Sequence, residues 1–305
     1  MRSVANLVSG MMLAAVTVAA CGPTGPGAVS VSPSSARDGR DGSDGAFGAA
    51  RVTILTQARV NERVTIDVTF PSDASGNLRR DRAPFPTVVF ASGGLVSSAR
   101  YRWIADHLAT RGYVVVAPDY TLDLAIASPD NTHAAVLALR RAAETTGHTL
   151  ERAVRSDGKV VAMGHSLGAV IATWQWIDHA YDGVVLLAGF PADGTQLERR
   201  AGSRVLSVTG SEDGSAPVAD VTAGFMRFSR PRLLAVVDGM NHYDWTDGAT
   251  AANLARDRPS TRPQSATRRD ALRVIDTFVD AVLNSDSAAL NALDSGTFAG
   301  VTVTR

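Results

Sequence analysis

The sequence holds a single cysteine, Cys21, among 305 residues. One cysteine excludes an internal disulfide, a CxxC redox pair and a cysteine-rich zinc site. Lysine is as scarce: Lys159 stands alone, and arginine supplies the other basic residues. That bias reads as codon usage rather than chemistry. Net charge is absent too, with 30 basic residues against 30 acidic ones. No basic stripe is left to attract phosphates, which argues against nucleic-acid binding. No GxGxxG follows the first predicted strand, which disfavours a nucleotide site. No repeat recurs at 20–50 residues. What is there has an ordinary globular balance, 45% hydrophobic and 20% charged. A chain of this size can bury a full core without staples.

The longest apolar run, residues 7–20, is too short and too weakly flanked for a membrane span. With Arg2 before it, the run reads as a signal segment over residues 1–20. Val18-Ala19-Ala20-Cys21 resembles the lipobox of bacterial lipoproteins. The resemblance implies cleavage before Cys21, lipid on its thiol and anchoring in the bacterial cell envelope. Gly22 after the cysteine points to the outer membrane. The alternative is an ordinary secretory signal and a secreted protein. Residues 21–50 are rich in Gly, Pro, Ser, Ala and Asp, and Phe47 is their one large apolar residue. Such a stretch buries too little surface to offset its ordering entropy and is expected to be a flexible tether.

Residues 51–305 are expected to form one catalytic domain. Segments 51–59 and 63–70 alternate apolar and polar residues, as half-exposed strands do. Short apolar runs follow at 87–91, 113–117, 160–163, 184–188, 205–209 and 233–237. Helical patterns lie at 99–111, 132–144, 167–180 and 268–283. Short buried strands alternating with helices predict an α/β fold: a mostly parallel sheet covered on both faces, with ligands at the carboxyl ends of its strands. Residues 285–305 have no assigned place; 297–303 suit either an edge strand or a frayed tail.

Gly164-His165-Ser166-Leu167-Gly168 fits G-x-S-x-G, with a predicted strand leading in and a helix leading out. The glycines suit a strained turn against neighbouring backbone. Ser166 is then exposed at the end of a strand, and the Leu167 N–H lies at a helix N-terminus, ready for an oxyanion. A serine needs a base to take its proton. In this strand–turn–helix class the chain order is serine, acid, histidine. Of six histidines only His242 follows an acid-bearing loop after Ser166. Asp213, after the run 205–209, is the favoured acid; Asp193 and Glu212 are its rivals, and Asp238 reads as a turn residue. The second oxyanion donor is expected in Ser92-Gly93-Gly94-Leu95, at Gly94 or, failing that, Leu95.

Four stretches carry a resemblance: residues 90–120, 160–170, 206–214 and 236–247. They read FASGGLVSSARYRWIADHLATRGYVVVAPDY, VVAMGHSLGAV, LSVTGSEDG and VVDGMNHYDWTD. The chain resembles a serine α/β-hydrolase and, within that superfamily, is similar to the lidless chlorophyllase, dienelactone-hydrolase-like and platelet-activating-factor-acetylhydrolase-like esterases. This implies an eight-stranded sheet, a Ser166–His242–Asp213 triad and ester hydrolysis through an acyl-enzyme. Ser92 stands where many relatives have histidine. The serine nucleophile sets aside the cysteine chemistry of true dienelactone hydrolases.

About 16 residues join the runs 184–188 and 205–209, too few for an inserted helical lid. An open site follows, with Leu95, Phe190, Tyr243 and Trp245 as candidate substrate-binding residues. The expected activity is a carboxylesterase for short- to medium-chain or bulky esters. No metal, organic cofactor or protein partner is implied. A lipase or polyester hydrolase, and a non-catalytic ligand-binding lipoprotein, are the alternatives.

Overall fold

The computed structural model describes residues 32–33, 45–59, 62–197 and 202–305. The expected signal segment, Cys21 and most of the expected tether lie outside the described residues.

Among the described residues ten strands form one sheet: β1 (Ser32–Pro33), β2 (Gly48–Arg59), β3 (Glu62–Ser72), β4 (Thr87–Ala91), β5 (Val114–Pro118), β6 (Val160–His165), β7 (Gly183–Leu187), β8 (Arg204–Gly210), β9 (Arg232–Val237) and β10 (Val301–Thr304). Their order is β1-β2-β3-β5-β4-β6-β7-β8-β9-β10. The six strands from β5 across to β9 run parallel. The edges are antiparallel, through β1, β2 and β3 on one side and β10 on the other. The α-helices among the described residues are α1 (Arg102–Thr110), α2 (Asp130–Glu144), α3 (Leu167–Asp178), α4 (Val218–Met226), α5 (Ala251–Leu254), α6 (Gln264–Leu283) and α7 (Ser287–Ser295).

The valine runs are buried on both faces, as parallel strands between helix layers must be. Along β6, Val160 and Ala162 enter one core with α2 residues such as Leu139, while Val161 and Met163 enter the other with Leu108 of α1 and Phe278 of α6. This two-residue alternation fixes the register, because a one-residue slip would exchange the cores.

Two expectations change. The implied eight strands become ten, because pairing continues at both edges. At one edge β10 continues the sheet from residues with no assigned place, its Val301 opposite Val237. The domain also begins before residue 51. Phe47 packs edge-on against Phe85 at 5.7 Å, the Gly45 N–H donates to Thr110 Oγ1 at 3.2 Å, and β2 starts at Gly48. A single aromatic ring anchors a stretch whose composition otherwise reads as linker.

His133 on α2 stacks on His179 at the end of α3, with ring centroids 3.5 Å apart and planes at 9°. Burial, helped by the His179 and Arg140 charges, pushes the His133 imidazole down to about 4. Burial also lowers His179. A histidine with a depressed folded pKa takes up its proton more readily when unfolded. Its neutral form supports the fold above the unfolded value of about 6.5, and that support is lost as pH falls towards 4. The urea midpoint should therefore drop between pH 6.5 and 4. His133→Gln should flatten that slope, and an equally steep decline in the variant would refute the assignment.

Candidate active site

Ser166 sits between β6 and α3 with φ 54° and ψ −121°. A side-chain-bearing residue rarely holds such a conformation, and its surroundings must impose it. They do: the Ser166 N–H donates to Leu187 O at 2.8 Å, and Ser166 O accepts from the Ala169 N–H at 2.9 Å. The flanking glycines let backbone pass against backbone. A Cβ on Gly164 would overlap the Gly168 carbonyl, and one on Gly168 would overlap the Ala91 carbonyl oxygen of β4. Gly168→Ala should therefore cost more than the ~1–3 kcal/mol of ordinary overpacking. A thermal melt within a degree or two of the parent protein would show the turn to be looser than it looks.

Neighbouring strands bring the other groups to the same carboxyl end of the sheet. Asp213 follows β8 and His242 follows β9, two and three strands from β6. His242 Nδ1 lies 2.9 Å from Asp213 Oδ2 and 3.1 Å from Oδ1. Both side chains are buried. Asp213 Oδ1 also accepts the backbone N–H groups of Ser215 (3.0 Å) and Ala216 (2.6 Å). The rival acids lie elsewhere. Asp193 has a side chain 83% exposed, 3.9 Å from Arg227 Nη1. Glu212 accepts the Ser211 hydroxyl, and Asp238 is exposed in a turn before Gly239 (φ 73°). The His242 ring faces that of His165, the residue before the serine, at 4.6 Å between centroids.

Asp257 was not among the expected site residues. Its Oδ1 accepts the Gly214 N–H at 2.7 Å and its Oδ2 the His242 N–H at 2.8 Å, so one carboxylate pins the acid loop to the histidine loop. No motif marks it; only the fold brings residue 257 beside both.

The glycine loop after β4 approaches α3 closely. A Cβ on Gly94 would stand 3.2 Å from Leu167 Cδ2. Leu167 opens α3, where first-turn N–H groups have no intrahelical acceptor. Among the described residues no acceptor meets the Gly94 N–H, whereas the Leu95 N–H donates to Asp123 O at 2.8 Å. That bond removes Leu95 as the fallback donor. The Leu95 side chain is 65% exposed, and Leu122, beside Asp123, is 71% exposed.

The expected aromatic lining is only partly there. Tyr243 is half-buried, edge-on to His242 at 5.3 Å. Phe190 packs its base against Gly224 of α4, within a small cluster that includes Phe225 and Leu234. Trp245 is a correction: it has no exposed surface and stacks on Trp103 at 6.3 Å, so no substrate can touch it. Residues 242–245 form a 3-10 helix, which sets positions i and i+3 on one side. Burying His242 therefore buries Trp245 as well. No helix occurs in the described part of the β7–β8 connection. A cavity of about 400 Å³ opens at the other end of the sheet, beside Arg204, Arg232 and Leu233, and shares none of these site residues.

A mostly parallel sheet, a serine on a strained strand-to-helix turn and an Asp–His pair at the same carboxyl end of the strands define the α/β-hydrolase class. Residues 87–268, well over half of the chain, match the model of the Alpha/beta hydrolase family, and the chain belongs to that family. It is also similar to Chlorophyllase-1, chloroplastic, of Citrus unshiu, with 27% identity over 173 residues, 54% of this chain and 50% of that protein. The chain thus spans about half the length of this curated relative.

Proposed function

We propose that this chain is a serine carboxylesterase acting on short- to medium-chain or bulky, exposed carboxylic esters through an acyl-enzyme. The observation that carries this reading is the buried Asp213–His242 hydrogen bond at the carboxyl end of the sheet, where Ser166 turns into α3. With Nδ1 bound to Asp213, His242 Nε2 is the nitrogen that takes the Ser166 proton. Ser166 Oγ then attacks the ester carbonyl. The N–H groups of Gly94 and Leu167 bind the oxyanion, a contribution worth about 3–4 kcal/mol per donor in comparable sites. His242 returns the proton to the leaving alcohol, and water releases the acid by the same steps in reverse. Exposed Leu95 and Leu122 beside the donor loop favour an apolar acyl or alcohol group, which supports lipids or polyesters as a second substrate class. The similar chlorophyllase fits an enzyme of this kind.

The test is labelling with a fluorophosphonate followed by peptide mapping, together with nitrophenyl acetate, butyrate and palmitate as substrates. The adduct should map to Ser166, and the shorter esters should turn over. A protein inert to all three esters and unlabelled would be a binding module instead. The same proposal places the protein in the bacterial cell envelope, held by lipid on Cys21; a mature N-terminal peptide without acyl mass would withdraw that part.

A further inference from the structure

Behind the candidate site lies a second set of polar side chains that the proposed chemistry does not use. Tyr101 and His165 are both buried, with 3% and 1% of their surface exposed. The Gly93 N–H donates to Tyr101 Oη at 3.0 Å. Tyr101 Oη lies 2.9 Å from His165 Nδ1, and His165 Nε2 lies 3.2 Å from the His242 carbonyl oxygen.

We propose that Tyr101 and His165 are positioning residues, forming one hydrogen-bond chain that holds the oxyanion loop and the general base in a common register. The proposal rests on the esterase reading of the site.

The polarity of the chain follows from its ends. The His242 carbonyl only accepts, so His165 Nε2 carries a hydrogen. In a neutral ring Nδ1 then accepts, and Tyr101 donates to it. The Tyr101 oxygen keeps a lone pair for the Gly93 N–H. Each group is used once, and none is left unpaired. The imidazole has reason to stay neutral: burial, then the facing His242, pushes His165 well below the ordinary histidine range.

The two ends of the chain lie where the reaction needs precision. Gly93 O accepts the Val96 N–H at 3.2 Å, while the Gly93 N–H is held by Tyr101. The Gly93–Gly94 peptide is planar, so fixing its carbonyl also fixes the direction of the Gly94 N–H. At the far end, the His242 backbone is gripped by His165 at its carbonyl and by Asp257 at its N–H. His165 is also adjacent to the nucleophile in the chain. A single side chain therefore refers both the donor loop and the base to Ser166.

Removing an oxyanion donor costs about 10²–10³-fold in kcat. Letting it drift should cost less, about 10- to 100-fold. The test uses the full-length protein with nitrophenyl butyrate and three variants: Tyr101→Phe, His165→Gln and the double variant. Gln can still donate to the His242 carbonyl but offers Tyr101 no acceptor at the Nδ1 position. Each single variant should lose about 10- to 100-fold in kcat, with KM within about twofold and fluorophosphonate still mapping to Ser166. The double variant should be little worse than either single one, because the chain is already broken. Wild-type kcat in both single variants, losses that multiply in the double, or a loss confined to KM would overturn the proposal. Should the variants not fold, the unaltered protein decides: its ¹⁵N imidazole spectrum should show His165 as the neutral Nε2–H tautomer from pH 5 to 9. An Nδ1–H or doubly protonated ring would overturn it. A parent protein that takes no label at Ser166 removes the esterase reading and this proposal together. A labelled, active parent with indifferent variants removes this proposal alone.

Discussion

Ser166→Ala is expected to lower kcat for nitrophenyl butyrate by about 10⁶-fold, with the thermal midpoint almost unchanged. The size follows from how the groups act together. His242 and Asp213 have no task in the reaction without a hydroxyl to deprotonate, so removing the serine removes the contribution of all three. What survives is binding and the oxyanion donors at Gly94 and Leu167, which stabilise attack by water only weakly by comparison. The fold should tolerate the change. Ser166 keeps its place through its own N–H and carbonyl, bonded to Leu187 O and the Ala169 N–H, and alanine retains both. Circular dichroism and the melting curve check the fold, and the rate with nitrophenyl butyrate checks the chemistry. A folded variant that still hydrolyses the ester at a tenth of the parent rate would end the assignment of Ser166.

Glycines made the turn around Ser166 legible. A short chain segment can reverse between a buried strand and a helix only if the residues at its narrow points lack side chains, and G-x-S-x-G writes that demand directly into the sequence. The parallel strands were legible for a related reason: burial on both faces removes polar residues and leaves runs such as VVVA and GVVLL. Trp245 was not legible. Its neighbours read as a loop, and the sequence does not announce that the 3-10 helix over 242–245 places His242 and Trp245 on one inward side. Asp257 and Tyr101 were hidden by distance along the chain. Asp257 serves the site through hydrogen bonds to backbone N–H groups, and Tyr101 through one to the Gly93 N–H beside its bond to His165; a backbone partner leaves no mark in the sequence. The start of the domain was hidden by composition, since Phe47 is one ring among glycines and serines. Position after a strand favoured Asp213 but left Asp193 as a rival, because each precedes a glycine after an apolar run. The choice is made by where the carboxylate's hydrogen bonds come from.

Those hydrogen bonds set the second large effect. Asp213→Asn should lower kcat by about 10⁴-fold, while Asp193→Asn should leave it within about twofold. In the parent protein Asp213 Oδ1 accepts two backbone N–H groups, from Ser215 and Ala216. In the variant only the amide oxygen can accept those bonds, so it must take the Oδ1 position. The NH₂ group is then forced into the Oδ2 position, 2.9 Å from His242 Nδ1. A donor there requires Nδ1 to accept, which moves the imidazole proton to Nε2 and removes the lone pair that would take the serine proton. Geometry is preserved while the base is switched off, so the loss should fall on kcat with little change in melting temperature. Asp193 lies away from the imidazole, with its side chain 83% exposed and 3.9 Å from Arg227 Nη1. Rates for both variants, measured on one ester at one pH, separate the two acids. A larger loss in Asp193→Asn than in Asp213→Asn would transfer the role to residue 193 and leave the buried Asp213–His242 bond without a chemical purpose.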